Sequence, residues 1–314
     1  MLPFKLVYHD KYDLHLGEHV FPSQKFRMIA EALRTQGVAS EEDFLIPSAA
    51  ADEDMLRVHT ADWVTKMKNG TLTASELMKL EIPYSIELRD AVWLATGGSI
   101  LAAQAALRDG FGCNLGGGFH HAYPGHGEGF CAMHDVAVAI RRLQHEGKIQ
   151  KAIVVDTDVH HGNGTAAIFR EDESVFTLSI HQENNYPAYK PPSDLDIDLW
   201  DRADDNEYLG LLIPAVQQSI EQFEPEMLFY VGGADPFCED KLGGLGLTKI
   251  GLMERDKSVF HEARRRGIPV MTTLAGGYAR RVEDTVLIHV NTILAAREVA
   301  VEYPAGSTSA AGVK

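Results

Sequence analysis

Three residues that can bind a metal ion or transfer protons alternate at the end of one apolar segment, "AIVVDTDVHHGNGT". Asp156, Asp158 and His160 occupy every second position, and His161 follows directly. Because side chains alternate along a strand, the first three would project to the same side. Buried carboxylates are costly without compensation, and a cation such as Zn²⁺, which binds Asp and His, would provide it. The alternative is a hydrogen-bonded strand end that caps the next helix.

Other chemically active residues follow further glycine-rich turns. His120 and His121 come directly after residues 116–119, and adjacent residues cannot both face a core on a regular element. Tyr278 follows two glycines and is either an ordinary loop aromatic or a phenol presented to a site. The stretch "YVGGADPFCEDKLGGLGLT" is an acidic surface loop or part of a site. It offers three carboxylates, those of Asp235, Glu239 and Asp240.

Short apolar runs alternate with helical patterns, which predicts right-handed βαβ crossovers and a mostly parallel sheet. Ser23 is a predicted N-cap, Gly97 and Gly98 are expected to loosen a long helix, and Pro214 to kink another. The six predicted strands are nearly continuous in apolar residues, as expected for strands covered on both faces. They span residues 5–9, 112–115, 152–156, 175–180, 227–231 and 269–273.

The composition excludes some functions and favours others. The 314 residues carry a formal charge of −16, which argues against a nucleic-acid-binding surface. No apolar run reaches the roughly 18 residues of a membrane span, and the start of the chain lacks a signal-peptide pattern. Three cysteines without a CxxC pair predict a reduced, cytoplasmic protein. Nothing in the composition defines the oligomeric state.

In their order and separation, these motifs resemble those of the zinc-dependent histone deacetylase superfamily. The resemblance extends from "YHDKYDLH" and "LRVHTADWV" to the "GGY" that ends at Tyr278. It implies the arginase–deacetylase fold, an α/β, single-domain, three-layer α/β/α architecture with a mostly parallel central sheet. The catalytic domain would span residues 1–303, and the small polar tail, residues 304–314, would be disordered.

The resemblance also implies roles for the motif residues. Asp158, His160 and Asp240 would bind one catalytic Zn²⁺ with a position open for water and substrate. The ion would polarise an amide carbonyl, one histidine would act as base and the other as acid, and the tyrosine would stabilise the oxyanion. Which histidine takes which step stays open. The catalytic residues implied are His120, His121, Tyr278, Asp156 and Asn163.

Two further sets of residues follow from the resemblance. The walls of a tunnel for an acyl-lysine side chain would be formed by Phe130, Tyr186, Gly129, Leu247 and Gly276. A potassium ion would be bound by side-chain or backbone oxygens of Asp156, Asp158, His160, Ser179 and Ile180.

The chain departs from the commonest family pattern at two places. Many members have "HHGDG" after the metal strand, whereas this chain has "HHGNG" with Asn163, which is similar to the class IV branch and its bacterial relatives. No acidic residue that would clamp a substrate is evident in the loop near Ile82 and Pro83. In the ureohydrolases, which share the fold and use two ions, an Asp stands where this chain has Gly162; this favours a single ion.

The resemblance therefore predicts a zinc-dependent amidohydrolase that removes acetyl or longer acyl groups from the lysine ε-amine of proteins or peptides. Two alternatives stay open. One is deacylation of acetylpolyamines or other small acyl-amines, although Leu247 stands where polyamine enzymes can have an acid. The other is a catalytically silent scaffold that binds acyl-lysine.

Overall fold

One parallel sheet organises the protein, whose computed structural model describes residues 1–306. Its eight strands are β1 Lys5–Val7, β2 Phe44–Leu45, β3 Phe111–Asn114, β4 Ala152–Asp156, β5 Val175–Gln182, β6 Leu195–Leu199, β7 Met227–Gly232 and β8 Val270–Leu274. The order across the sheet is β2-β1-β3-β8-β7-β4-β5-β6, and every neighbouring pair is parallel. The predicted α/β class with a mostly parallel sheet is confirmed.

The strands in the middle of the sheet carry the core. Every residue of β3, β4, β7 and β8 is buried, as their continuous apolar sequences predicted. The two strands that sequence analysis missed lie at the edges of the sheet. β2 has only two residues, and β6, with the sequence "LDIDL", is mostly half-buried. Neither strand has the apolar run that was used to identify strands.

Helices cover the sheet on both sides. The described residues form α1 Gln24–Thr35, α2 Asp52–Met55, α3 Ala61–Asn69, α4 Ala74–Leu80, α5 Ile86–Asp109, α6 Asp135–His145, α7 Asn163–Phe169, α8 Asp205–Phe223, α9 Lys249–Arg264 and α10 Val282–Glu302. Helices α1, α10, α9 and α8 pack against one another in that order, and α5 packs against α6 and the strands β1, β3 and β8. The result is a three-layer α/β/α arrangement.

Two sequence-based expectations about helices need correction, and a third stays untested. Gly97 and Gly98 do not loosen α5, which runs without interruption from Ile86 to Asp109. A Cβ atom at Gly97 would lie 1.9 Å from the Ser48 carbonyl oxygen, so this glycine allows a loop to pack on the helix. Ser23 precedes α1, but its hydroxyl accepts the Leu14 N–H instead of capping the helix. Pro214 lies inside α8, which spans 19 residues, and the kink expected there stays a prediction.

The remaining expectations about the whole chain concern its tail, membrane segments and cysteines. Of the predicted disordered tail, residues 307–314 lie outside the described residues. Within residues 1–306, none of the helices is long and apolar enough to cross a membrane. The three cysteines are free; Cys113 and Cys131 are buried and Cys238 is exposed.

Candidate active site

The candidate site lies where three adjacent central strands end. Strands β8, β7 and β4 are neighbours and run parallel, so their carboxyl ends meet at one edge of the sheet. Asp156 is the last residue of β4, and the "TDVHHGNG" turn follows it. The "GADPF" turn follows β7, and the "AGGY" turn follows β8. Ligand sites of open α/β sheets lie at this edge, so the topology brings three of the motifs together.

Asp158, His160 and Asp235 form the group that we call the central cluster. One ligand atom from each lies within 4.8 Å of the others, and all three side chains are buried. The His160 Nδ1 atom is 2.9 Å from Asp158 Oδ1 and 3.5 Å from Asp235 Oδ2. The Oδ2 atom of Asp235 has no hydrogen-bond partner among the described residues. A buried, unpartnered carboxylate oxygen beside a second carboxylate and an imidazole suits a divalent cation.

The pKa of a carboxylate in the central cluster also indicates that the cluster requires a cation. Burial, and then the neighbouring Asp158 carboxylate, raise the pKa of Asp235 to about 7. The other oxygens are held by backbone donors, because Gly276 N–H donates to Asp158 Oδ2 at 2.8 Å and Val159 N–H donates to Asp235 Oδ1 at 2.9 Å. Such outer hydrogen bonds orient the ligands of a metal ion. The residues present therefore fit a zinc-type ion.

Asp235 takes the place that sequence analysis gave to Asp240. Both carboxylate oxygens of Asp240 are already engaged: Oδ1 accepts the N–H groups of Leu242 and Gly243 at 2.8 and 3.0 Å, and Oδ2 accepts that of Tyr278 at 2.6 Å. Because Asp235 and not Asp240 joins Asp158 and His160 in the central cluster, the geometry favours Asp235 as the third ligand. Asp240 instead ties the loop after β7 to the backbone of Tyr278.

The tandem histidines lie beside the central cluster, each with a different partner. His120 Nδ1 is 2.7 Å from Asp156 Oδ2, and His121 Nδ1 is 2.7 Å from Asn163 Oδ1. Asn163 in turn donates to Glu128 at 2.8 Å. Both imidazoles are buried, with ring centroids 4.0 Å apart. Each histidine therefore has one of the two implied catalytic residues, Asp156 or Asn163, as its orienting partner.

These partners separate the two imidazoles electrostatically. Burial lowers the pKa of His120, but the carboxylates of Asp156 and Asp158 outweigh it and raise the pKa to about 9. Burial, and then the proximity of His120 and His160, lower the pKa of His121 well below its usual value. The first imidazole thus favours the charged form and the second the neutral form.

The loop that carries the histidines is held by Asp135, a residue that sequence analysis did not single out. Its buried carboxylate accepts the N–H groups of Phe119 at 2.8 Å and Gly118 at 3.1 Å. It also accepts the hydroxyl of Ser99 on α5. The carboxylate lies at the start of α6, so one helix end positions the histidine turn.

A pocket of about 410 Å³ leads to the site. Three of the five predicted tunnel residues line it, Gly129, Phe130 and Tyr186, together with Tyr278 and other side chains. The complete lining is His19, Val20, Glu81, His121, Gly129, Phe130, His160, Asn185, Tyr186, Leu242 and Tyr278.

Two predicted tunnel residues lie outside the lining of this pocket. Leu247 is fully buried, and its carbonyl accepts the Cys238 N–H at 2.9 Å. Leu242 lines the pocket in its place. Gly276 is not part of the lining either, because its backbone contacts Asp158 at the central cluster.

Two charged residues near the site were missed. Glu81 lines the pocket directly before Ile82 and Pro83, where no acidic residue that would clamp a substrate was evident in the sequence. Lys25 is fully buried on α1; its Nζ atom donates to the Ala275 carbonyl and lies 6.0 Å from the Tyr278 ring centroid. Burial lowers the pKa of Lys25 to about 8. On the apolar face of a helix pattern, this lysine gave no signal in the sequence.

The sheet order, the flanking helices and the site at the carboxyl ends of the central strands define an α/β protein with the arginase–deacetylase fold. The solved HDA15 HD domain has the same fold: its TM-score is 0.81 at 23% identity, over 96% of this chain and 90% of that one.

Sequence comparisons then identify the family. The histone deacetylase domain matches residues 19–293, and the chain belongs to the histone deacetylase family. An uncharacterized protein of Picosynechococcus sp. is 40% identical over 297 residues, which cover 94% of this chain and 99% of the relative. Histone deacetylase 2 of Arabidopsis thaliana is 29% identical over 298 residues, 90% of this chain and 77% of the relative.

Proposed function

We propose that this protein hydrolyses the amide bond of acyl-lysine side chains in proteins or peptides and uses one Zn²⁺ ion. The observation that carries the proposal is the juxtaposition of the central cluster, two differently partnered histidines and Tyr278 at a pocket with aromatic walls. Membership in the histone deacetylase family supports the deacetylase chemistry.

Asp158, His160 and Asp235 would hold the ion. When bound there, the ion polarises the amide carbonyl and lowers the pKa of a water molecule. A single ion is supported by Gly162, where a Cβ atom would lie 2.4 Å from Asp156 Oδ2. A larger side chain that bridges two ions has no room at this position.

The hydrogen-bond partners suggest how the histidines divide the proton transfers. Asn163 orients the His121 ring without stabilising its cation, so this imidazole stays neutral and can accept a proton from water. Asp156 stabilises the protonated form of His120, which can donate a proton to the leaving amine. The Tyr278 hydroxyl would stabilise the developing oxyanion, with its backbone held by Asp240.

The pocket favours a long, narrow acyl-amine. Phe130 and Tyr186 provide apolar walls for the methylene groups of a lysine side chain. Glu81 places a carboxylate in the lining, and this specific observation also supports the second candidate, a deacylase of acetylpolyamines or other small acyl-amines, whose substrates carry positive charge. The third possibility, a silent acyl-lysine-binding scaffold, is disfavoured because the acid, base, tyrosine and ligand set are all present.

A turnover assay separates these candidates. The zinc-loaded protein is incubated with peptides that carry lysine acylated with chains of increasing length, and in parallel with acetylputrescine. We expect hydrolysis of the peptides. Turnover of acetylputrescine alone would establish the polyamine function instead, and no turnover with intact metal binding would establish the scaffold. A Glu81→Gln variant should lower the rate on acetylputrescine more than on a neutral peptide.

Several sequence-based expectations stay predictions. Potassium binding by Asp156, Asp158, His160, Ser179 and Ile180 is one; in the sheet, Asp156 and Ser179 are register partners. The cytoplasmic location, the absence of nucleic-acid binding and the likeness to the class IV branch are others.

A further inference from the structure

A second group of histidines and carboxylates lies at the outer part of the sheet, and we call it the outer cluster: His161, His181, Asp196 and Asp198. His181 is on β5 and pairs in register with Asp198 on β6, while Asp196 lies two residues earlier on the same face of β6. His161 reaches the group from the turn after β4. One ligand atom from each of His161, His181 and Asp196 lies within 4.8 Å of the others.

Among the described residues, one hydrogen bond joins the ligand atoms of this cluster, between His161 Nε2 and Asp196 Oδ1 at 3.2 Å. His181 Nε2 is 3.0 Å from Asp198 Oδ1, yet it makes no hydrogen bond within the described part of the chain. The His181 side chain is 1% exposed. His181 Nε2 is thus a buried nitrogen that has no hydrogen bond although a carboxylate oxygen lies beside it. Two ligands of one metal ion are arranged in this way, because both point at the ion instead of at each other.

Two of the ligands, His181 and Asp196, are also anchored through their other polar atom. Ser179 Oγ lies 3.0 Å from His181 Nδ1, and the Ser193 N–H donates to Asp196 Oδ2 at 2.9 Å. These contacts leave His181 Nε2 without a hydrogen bond, while Asp196 Oδ1 faces His161 Nε2 at 3.2 Å. Outer hydrogen bonds of this kind orient the ligands of metal sites.

The two carboxylates of the cluster have histidines as their ion-pair partners. Within residues 1–306, the ion pairs of Asp196 and Asp198 are those to His161 and His181, whose ring centroids lie only 4.6 Å apart, and Lys190 adds one positive charge nearby. A divalent cation between the rings would compensate both carboxylates.

We propose that the outer cluster binds a second divalent metal ion of the zinc type, with His161, His181 and Asp196 as ligands and Asp198 as the ligand on the solvent side. The donor set of two imidazoles and two carboxylates suits Zn²⁺ and similar borderline ions. The ion connects the edge strand β6 to β5 and to the turn that carries His160. Its role is structural, because none of these four residues lines the pocket.

Metal counting on the full chain tests the proposal. The protein is stripped with a chelator, reloaded with Zn²⁺, passed over a desalting column and analysed for zinc. We expect two zinc ions per wild-type chain, one in His181→Gln and one in Asp235→Asn. The two variants report on different sites, so a failure of the outer site is distinguishable from a failure of the central one.

A second variant covers the case in which His181→Gln does not fold. Asp198 is half-exposed, so Asp198→Asn leaves the buried imidazoles in place. We expect Asp198→Asn to weaken the second zinc-binding event at least tenfold in a competition titration with a chromophoric chelator. We also expect its melting temperature to respond less to zinc than that of the wild type. One zinc per wild-type chain, or a second zinc that both variants retain, would overturn the proposal.

Discussion

The central cluster and the outer cluster are built alike but are placed differently. Each combines imidazole and carboxylate groups on or directly after neighbouring parallel strands, and each has a buried polar atom without a partner among residues 1–306. The central cluster adjoins two further histidines, a tyrosine and the pocket, whereas the outer one lies at the edge strand β6. The difference shows that a metal-ligand set alone does not define a catalytic site; the acid, base and pocket around it do.

The largest effect is expected for Asp235→Asn. Removing this carboxylate should abolish zinc binding at the central cluster and reduce acyl-lysine hydrolysis on the order of 10³-fold or more, because the ion contributes several kcal/mol of transition-state stabilisation. Asp196→Asn at the outer cluster should cost less than about tenfold, as expected for a change that reaches the site indirectly. Steady-state kinetics and zinc analysis check both.

The exposed Asp62, which pairs with Lys66 at the surface, offers a matched control as Asp62→Asn. Equal losses of activity in Asp235→Asn and Asp196→Asn, with folding intact, would remove the distinction between the two clusters.

The next effect separates metal binding from catalysis within the central region. Tyr278→Phe removes one hydroxyl and keeps the ring, which packs 6.0 Å from Phe130. Loss of one oxyanion donor typically costs about 10²–10³ in kcat. We expect a loss of that size with unchanged zinc content, measured across a series of acyl chain lengths. Retention of full activity would show that the phenol takes no part in the reaction.

A smaller, directional effect is expected from Asn163→Asp. A carboxylate next to His121 Nδ1 stabilises the imidazolium and so raises the pKa of a group that must be neutral to act as base. The acidic limb of the kcat/KM profile should move to higher pH, with a decrease of about 10- to 100-fold near its former midpoint. The exposed Asn206 provides the control, as Asn206→Asp. A shift to lower pH would contradict the assigned base.

The smallest effect concerns stability and not catalysis. Burial lowers the pKa of His59 from 6.5 to about 4. Its Nδ1 is 3.1 Å from the Tyr123 carbonyl, and its Nε2 accepts the His134 N–H at 2.9 Å, so a second proton breaks a hydrogen bond. The contribution of neutral His59 to the free energy of unfolding is fully present above pH 6.5. It is lost as the pH falls toward 4, and the total loss is roughly 3 kcal/mol.

Urea unfolding between pH 7.5 and 4.5 measures this contribution. In His59→Gln the free energy of unfolding should be lower at pH 7.5 but should change less with pH than in the wild type. The exposed His145, as His145→Gln, should leave the pH dependence as it is. An unchanged slope in His59→Gln would show that this histidine does not contribute to it.

The contrast between the central strands and the edge strand β6 also explains which features could be predicted from the sequence. The buried strands and the positions of Asp158, His160 and the tandem histidines follow from apolar runs and from alternation along a strand. β6 was not predicted because a strand with one half-exposed face alternates polar and apolar residues and has no continuous apolar run. Its alternating aspartates were the signal of the outer cluster that sequence analysis missed.

The choice between Asp235 and Asp240 depends on information that the sequence pattern does not contain. Both follow the same strand and glycine turn. They differ because backbone N–H groups engage both oxygens of Asp240 but only one oxygen of Asp235. Glu81 and Lys25 reach the site from distant elements, so local spacing could not place them there.

The central claim is that one zinc ion is bound by Asp158, His160 and Asp235 at the base of the pocket. A crystal of the zinc-loaded protein, with anomalous diffraction recorded at the zinc absorption edge, tests it directly. The account predicts a peak about 2.0–2.2 Å from His160 Nδ1 and from one oxygen of each aspartate. A peak on Asp240, two ions that share a bridging ligand in this pocket, or no peak at the central cluster would contradict it.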